Sequence, residues 1–242
     1  MVVYMRYFLV LMVTALVMSS CFGVTGEVES KPEAVLSKLG PSHTWIESNS
    51  DTDFIKSLTQ ITIDDIIIGT GFFITPTMAI TNAHVALNFK YCRENEVLKC
   101  KRFSLKNPSW GEILISATDI QIFNDMDLAI IIIKKNSPLA EHEFRFDVEH
   151  NLDVNHPLTL YSFSDSKIIE VNCEISGGNL DRKIRPSFFH TCDTVPSFSG
   201  SPIISRNSHK IIGLHWGASK SNDYNQAIPM PLIEERILSV LY

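Results

Sequence analysis

From about residue 53 to residue 229 the chain is a succession of short apolar runs, each broken within a few residues by Gly, Pro, Asn, Asp or Ser. The clearest are FIKSLTQITI, IIIGTGFFIT, MAIT, EILISATDIQIF, LAIIIIKK, PLTLYSF, IIEVNCEIS, SPIIS, KIIGLHW and NQAIP. They are rich in β-branched and aromatic residues, and most are too short for a helix to propagate beyond its costly first turn. Runs of this kind read as strands of an antiparallel sandwich or barrel. No repeat of fixed period is visible. Only the tail differs. From Pro231, the segment PLIEERILSVLY sets Leu232, Ile233, Ile237, Leu238 and Leu241 at helical spacing, predicting a C-terminal helix with these residues on one side. The expected class is all-β, closed by one helix.

At 242 residues the chain suits one sizeable domain or two small ones sharing an interface. Hydrophobic residues make up 45% and charged residues 20%, enough apolar surface for a core, so a disordered chain is excluded. A net charge of −6, with no stripe of Lys and Arg interleaved with aromatics, argues against nucleic acid as a partner.

The first residues have a different character. Arg6 precedes an apolar stretch from Tyr7 to Met18, which ends on Ser19, Ser20 and Cys21. That stretch is short for a bilayer span and fits the apolar region of a secretory signal. Residues 1–21 are therefore expected to be a signal peptide and the protein to be exported, either secreted or held at the periplasm or cell envelope. Cys21 resembles the cysteine that a bacterial lipoprotein signal carries for lipidation, which would anchor the protein to a membrane; a plain cleaved signal is the alternative. Residues 22–50 read as a polar leader. The polar stretch at 141–156, with His142, His150 and His156, reads as the connection between a half at 51–145 and a half at 146–242.

Of five cysteines, setting Cys21 aside leaves Cys92, Cys100, Cys173 and Cys192. An even set in an exported chain reads as disulfides. Cys173 lies in an alternating run and Cys192 in SFFHTC, so neighbouring strands would hold them opposite each other, while Cys92 and Cys100 would close a small loop. No two cysteines have the close spacing of a zinc knuckle, and neither a metal nor any other cofactor is expected.

Three segments carry residues suited to nucleophilic chemistry: TNAHVA at 81–86, DMDLAIIII at 125–133 and DTVPSFSGSPII at 193–204. A serine hydroxyl becomes a nucleophile at neutral pH when an imidazole takes its proton and a carboxylate orients that imidazole. His84, Asp127 and Ser199 supply the three groups, and their chain order, His then Asp then Ser, is that of the chymotrypsin-like arrangement. Asp119 and Asp125 compete for the acid, and Ser197 and Ser201 for the nucleophile.

At these motifs the chain resembles the trypsin-like serine peptidases. GTGFFITPTMAITNAHVA is similar to their His-bearing hairpin, DMDLAIIII to their Asp strand, and SGSPII with GLHWG to their Ser half. The pairing of DTVPSFSGSP with GLHWG is most similar to the glutamyl endopeptidases and exfoliative toxins, over roughly residues 53–240. The resemblance implies two six-stranded β-barrels with the site between them. It implies a protein or peptide substrate, cleaved through an acyl-enzyme without a cofactor, and a monomer. It selects Asp127, since the family's acid stands immediately before Leu-Ala, and makes Ser199 the nucleophile.

The resemblance also assigns the oxyanion hole to the backbone N–H groups of Ser197 and Ser199. Here the chain departs from the family, which carries Gly at the first of these positions because its N–H turns inward in a conformation awkward for a residue with Cβ. The structure is expected to show the 197 peptide flipped outward or held at unusual dihedrals. The same departure supports a second reading, a catalytically inactive or conditionally active trypsin-like binding protein. For specificity, the resemblance places Thr194 and His215 on the carboxylate of a Glu or Asp at P1, with His215 titrating near neutral pH, and makes Trp216, Gly217 and Ala218 the edge for an extended substrate. GLHWG as a packed strand with His215 bonded to backbone is the alternative, and Asp193 is the rival pocket residue, suited to Lys or Arg.

Overall fold

The computed structural model describes residues 45–48, 53–94, 102–133, 147–149, 152–179, 186–218 and 224–241. The expected signal peptide with Cys21, most of the leader, and the Cys92–Cys100 bridge, which needs Cys100, lie outside these residues.

The described residues form two antiparallel sheets. The first contains β2 (Leu58–Ile63), β3 (Ile66–Thr75), β4 (Met78–Asn82), β5 (Phe103–Asn107), β6 (Gly111–Leu114), β7 (Ile120–Phe123) and β8 (Leu128–Ile132), in the order β6-β5-β2-β3-β4-β8-β7. The second contains β1 (Trp45–Glu47), β9 (Pro157–Ser164), β10 (Lys167–Asn179), β11 (Ser187–His190), β12 (Pro202–Ser205), β13 (Ile211–Ala218) and β14 (Asn225–Pro229). Its order is β1-β10-β11-β14-β13-β12-β9, and a further β9–β10 ladder closes six of these strands into a barrel. Closure removes the free edges that an open sheet would present. The first sheet curls, but its ladder ends at β6 and β7, so it is a seven-stranded half-barrel where six closed strands were expected.

Strand β10 is long enough to serve three neighbours. Its first part pairs with β9, its last part with β11 after a bulge between Ile175 and Gly177, and Val171 to Ile169 pair with Trp45 to Glu47. Strand β1 thus occupies the edge of β10 that β11 does not reach. These three residues belong to the stretch read as leader from the sequence.

Among the described residues the helices are α1 (Asp53–Ser57), α2 (Ala83–Glu94) and α3 (Met230–Leu241). Apolar residues gather in three cores. One fills the first sheet, with Phe73, Val85, Phe103 and Ile131; one fills the closed barrel, with Leu160, Val171, Phe188, Phe198 and Ile212. The third joins Leu58, Phe72, Ile80 and Ile130 of the first sheet to Phe163, Leu214 and Ile228 of the second, and receives Ile233 and Ile237 of α3. Burying each such side chain contributes roughly 1.5–3 kcal/mol, so this shared core fixes the two sheets against each other. In α3 the buried side centres on Ile233 and Ile237. Leu238, expected on that side, is 51% exposed, because one step of about 100° carries it past the contact.

Candidate active site

Strand β4 runs directly into α2, and β8 begins beside that junction. The pairing Asn82↔Leu128 brings Asp127 next to Ala83 and His84. Asp127 adopts φ +55, a left-handed conformation that Asp tolerates better than most residues. Its backbone carbonyl accepts the Ala83 N–H at 2.9 Å and a bond from Asn82 Nδ2 at 3.3 Å. Its carboxylate then holds His84 twice: Oδ1 accepts the backbone N–H at 2.9 Å, and Oδ2 bonds imidazole Nδ1 at 2.7 Å. Asp127 is buried while the His84 ring is half-exposed, so the acid is fixed and the imidazole reaches outward. The rival carboxylates are occupied elsewhere. Asp125 pairs with Arg236 at 2.5 Å on the surface, and Asp119 accepts the backbone N–H of Ser116 at 3.2 Å.

Ser199 follows a 3₁₀ turn, Pro196–Phe198, whose one buried side chain is Phe198. Its carbonyl accepts the Thr70 N–H of β3 at 2.9 Å, and the next N–H, of Gly200, donates to His215 O at 2.9 Å. Gly200 has φ +87, and a Cβ there would lie 2.1 Å from Thr70 O, so only glycine lets the turn sit this close to β3. Ser199 Oγ donates to the carbonyl of Trp216 at 3.3 Å.

The turn closes on itself. The Ser199 N–H donates to the Pro196 carbonyl at 3.3 Å. In a trans peptide the C=O and the following N–H point opposite ways, so with the Pro196 carbonyl facing Ser199, the Ser197 N–H faces away. This is the outward-flipped alternative expected from Ser197. Ser197 is not among the residues with positive φ, so a side chain is tolerated there without strain. Thr70 Oγ1 donates to the Ser197 carbonyl at 3.1 Å and bonds Ser162 Oγ at 3.0 Å, tying the turn to both sheets.

Beside the turn, Thr194 Oγ1 donates to Asn225 Oδ1 at 3.1 Å, and Asn225 Nδ2 donates to the Cys192 carbonyl at 2.6 Å. Asp193 is buried. His215 is 1% exposed, and its Nδ1 lies 3.1 Å from His190 Nε2. The Cys192 N–H donates to His190 Nδ1 at 3.3 Å, which leaves the His190 proton on Nε2. That proton faces His215 Nδ1, so His215 carries its own on Nε2. Burial, and then the charge of His84, push the His215 pKa down to about 3, with a backbone bond at Gln226 pulling the other way. Burial and the neighbouring His215 hold His190 well below the usual range. The expected titration of His215 near neutral pH is thereby overturned: the ring is desolvated and stays neutral. The sequence reading missed His190 and Asn225. Their only signal was polarity within apolar runs, and their partners depend on the register of β14 between β11 and β13.

Cys173 and Cys192 are bridged, with Cα atoms 4.9 Å apart, as their alternation predicted. Their sulfurs and a His190 nitrogen lie within 4.8 Å of one another. With the sulfurs bonded to each other, no thiolate remains in this cluster for a metal. The β12–β13 ladder ends at Leu214, while Gly217 and Ala218 pair with β14 on their other side. At Gly217, φ +152, a Cβ would meet nothing within 4 Å, leaving open space along this edge.

Comparison with known proteins agrees with this fold. No curated protein matches the sequence. Solved structures do: a Glu endopeptidase at 15% identity and TM-score 0.59, covering 82% of this chain and 97% of that one; the Rv3671c protease of M. tuberculosis in its active form at 16% and 0.57, covering 76% and 81%; and the serine protease domain of the Sesbania mosaic virus polyprotein at 18% and 0.57, covering 78% and 94%. At such identities the likeness shows the fold, which is that of the chymotrypsin-like serine proteases. The family model for the trypsin-like peptidase domain matches residues 69–214, more than half of the sequence and all three catalytic-type motifs, so this chain belongs to the trypsin-like peptidase family.

Proposed function

We propose that the chain is an exported serine endopeptidase whose trio is His84, Asp127 and Ser199. Ser199 Oγ attacks the scissile carbonyl while His84 takes its proton. His84 then returns that proton to the leaving amine, and water attacks the acyl-enzyme by the reverse sequence to free Ser199. The observation that carries this reading is the double hold of Asp127 on His84, which fixes both the position and the tautomer of the ring. A fluorophosphonate probe tests it: labelling of Ser199, located by peptide mapping, supports the enzyme. Absence of labelling across pH 5 to 9, together with failure to cleave peptides, would overturn it.

Activity is conditional in this reading. Ser199 N–H to Pro196 O is the observation that favours it, since an oxyanion has no donor until the Pro196–Ser197 peptide turns. Substrate or a partner supplies that rearrangement. We further propose a preference for Glu or Asp at P1, supported by Thr194, whose hydroxyl would exchange Asn225 for the substrate, and by His215, whose ring would exchange its backbone bond at Gln226. Export is supported by the sequence of residues 1–21 and by the disulfide, which suits an oxidising compartment. Locating the protein in fractionated cells, with and without Cys21→Ala, tests export and lipid anchoring together.

A further inference from the structure

We infer that Trp45 is a positioning residue for the nucleophile: from β1 its indole walls the seat of Phe198, which is joined by one peptide bond to Ser199. The inference rests on reading Ser199 as the nucleophile. The rings of Trp45 and Phe198 lie 5.1 Å apart between centroids, inclined at 37°. Phe198 is fully buried, and it is the one buried side chain of the Pro196–Phe198 turn. Its N–H donates to Val195 O at 2.9 Å and its carbonyl accepts the Ser201 N–H at 3.0 Å, so both ends of the turn are referred to this residue. Pro196 is exposed and Ser197 only partly covered, and neither supplies a second anchor of this kind. Thr70 and His215 hold the backbone of Ser199 and Gly200 from one side, and Phe198 is the side-chain anchor that seats the turn from the other.

The wall on the β1 side is held by few bonds. Strand β1 holds β10 through three residue pairs, one further bond from the Ser48 N–H to Ile168 O at 2.9 Å, and an exposed Glu47–Lys167 pair at 2.8 Å. Ile46 is 48% exposed and contributes little burial. The Trp45 indole N–H is buried without a hydrogen-bond acceptor among the described residues. A buried donor left unpaired opposes docking, so the fit of the ring against the Phe198 core is what keeps Trp45 in place. Three residues far from the nucleophile in sequence thus set the alignment on which proton transfer to His84 depends, and misplacement of about 1 Å costs about 100-fold in rate.

Trp45→Ala, Trp45→Leu, Trp45→Phe and Ile46→Ala test this against wild type, each normalised to folded protein by near-ultraviolet circular dichroism. Two quantities are read: the rate of fluorophosphonate labelling at Ser199, with kcat and KM on a cleaved peptide, and hydrogen exchange of the 193–201 segment. The expected result is a fall of about tenfold or more in labelling rate and kcat for the Ala and Leu variants, with KM unchanged and faster exchange across the turn. Trp45→Phe recovers most of the loss and Ile46→Ala equals wild type. Labelling at the wild-type rate in Trp45→Ala and Trp45→Leu overturns the inference, as does an equal fall in Ile46→Ala. If wild type itself neither labels nor cleaves, the catalytic reading fails instead. Hydrogen exchange still decides whether Trp45 holds the turn, and unchanged exchange there overturns the inference independently.

Discussion

The backbone N–H of Ser199 donates to the carbonyl of Pro196, 3.3 Å away, within its own turn. An N–H placed to receive the negative oxygen of a tetrahedral intermediate is thus occupied by the protein, while its companion at Ser197 faces the other way. Asp127 and His84 are bonded to each other at 2.7 Å, whereas the Ser199 hydroxyl donates to the Trp216 carbonyl and its N–H to Pro196.

Ser197→Gly is expected to raise kcat, by as much as about 100-fold, because one oxyanion donor is worth that order in rate and glycine opens the backbone conformations that bring the 197 N–H inward. Initial rates on a peptide substrate and the fluorophosphonate labelling rate measure it. A fall in both would mean that the Ser197 side chain has a role of its own.

Asp127→Asn is expected to lower kcat by about 10⁴ with the fold retained, since Asn accepts the His84 N–H and tolerates positive φ but presents the wrong partner to Nδ1. Asp125→Asn, which touches only the surface pair with Arg236, should leave kcat within about twofold, as surface pairs of this sort contribute little. The reverse outcome would reassign the acid.

The buried histidine pair predicts a pH dependence of stability. Both pKa values are lowered in the folded state, so the unfolded chain binds more protons below about pH 6.5 and stability falls as pH drops from there toward 3. The slope is about 1.4 kcal/mol per pH unit for each histidine. Urea midpoints from pH 7.5 to 4.5 check it, and His190→Phe should flatten the curve. Because His215 stays neutral over this range, the ratio of kcat/KM for Glu over Gln at P1 should not change between pH 5 and 8. A ratio that falls as pH rises through 6.5 would show that His215 titrates after all.

Cys173→Ser with Cys192→Ser is expected to lower stability by about 3 kcal/mol, the loop-closure value for a separation of 19 residues. Because Cys192 N–H and C=O bond His190 and Asn225, the loss of selectivity at P1 should exceed the loss of kcat. Equal selectivity in the reduced and oxidised proteins would separate the bridge from the pocket.

The all-β class, the tail helix, the Cys173–Cys192 pairing and the contact of Asp127 with His84 were legible because each is written in a few consecutive residues. TNAHVA sets His84 just past β4, in the first turn of α2, and DMDLA sets Asp127 just before β8. What escaped was written in register. His190 meets His215 only because β14 lies between their strands, and no local pattern states that order. Strand β1 is three residues long in a polar stretch, below the length at which alternation is informative. Leu238 fails for a related reason: the tail shows a helix, but which five apolar residues face inward depends on the surface it meets. Position 197 shows both sides. The serine was visible as a departure, and the direction of its peptide needed the turn.

Asp127 begins α2 from outside the helix. The N–H groups of Ala83 and His84 lie at the helix start, where no preceding turn of helix can accept them, and both are accepted by this one residue, the second by a carboxylate at the positive end of the helix dipole. A cap of this kind is worth about 1 kcal/mol. The acid is thus retained by folding as well as by chemistry. A descendant of this chain that had lost its nucleophile would still be under pressure to keep Asp127, whereas the Ser199 hydroxyl makes one long bond, to the Trp216 carbonyl. The serine, more than the aspartate, is the residue whose presence speaks for a working enzyme.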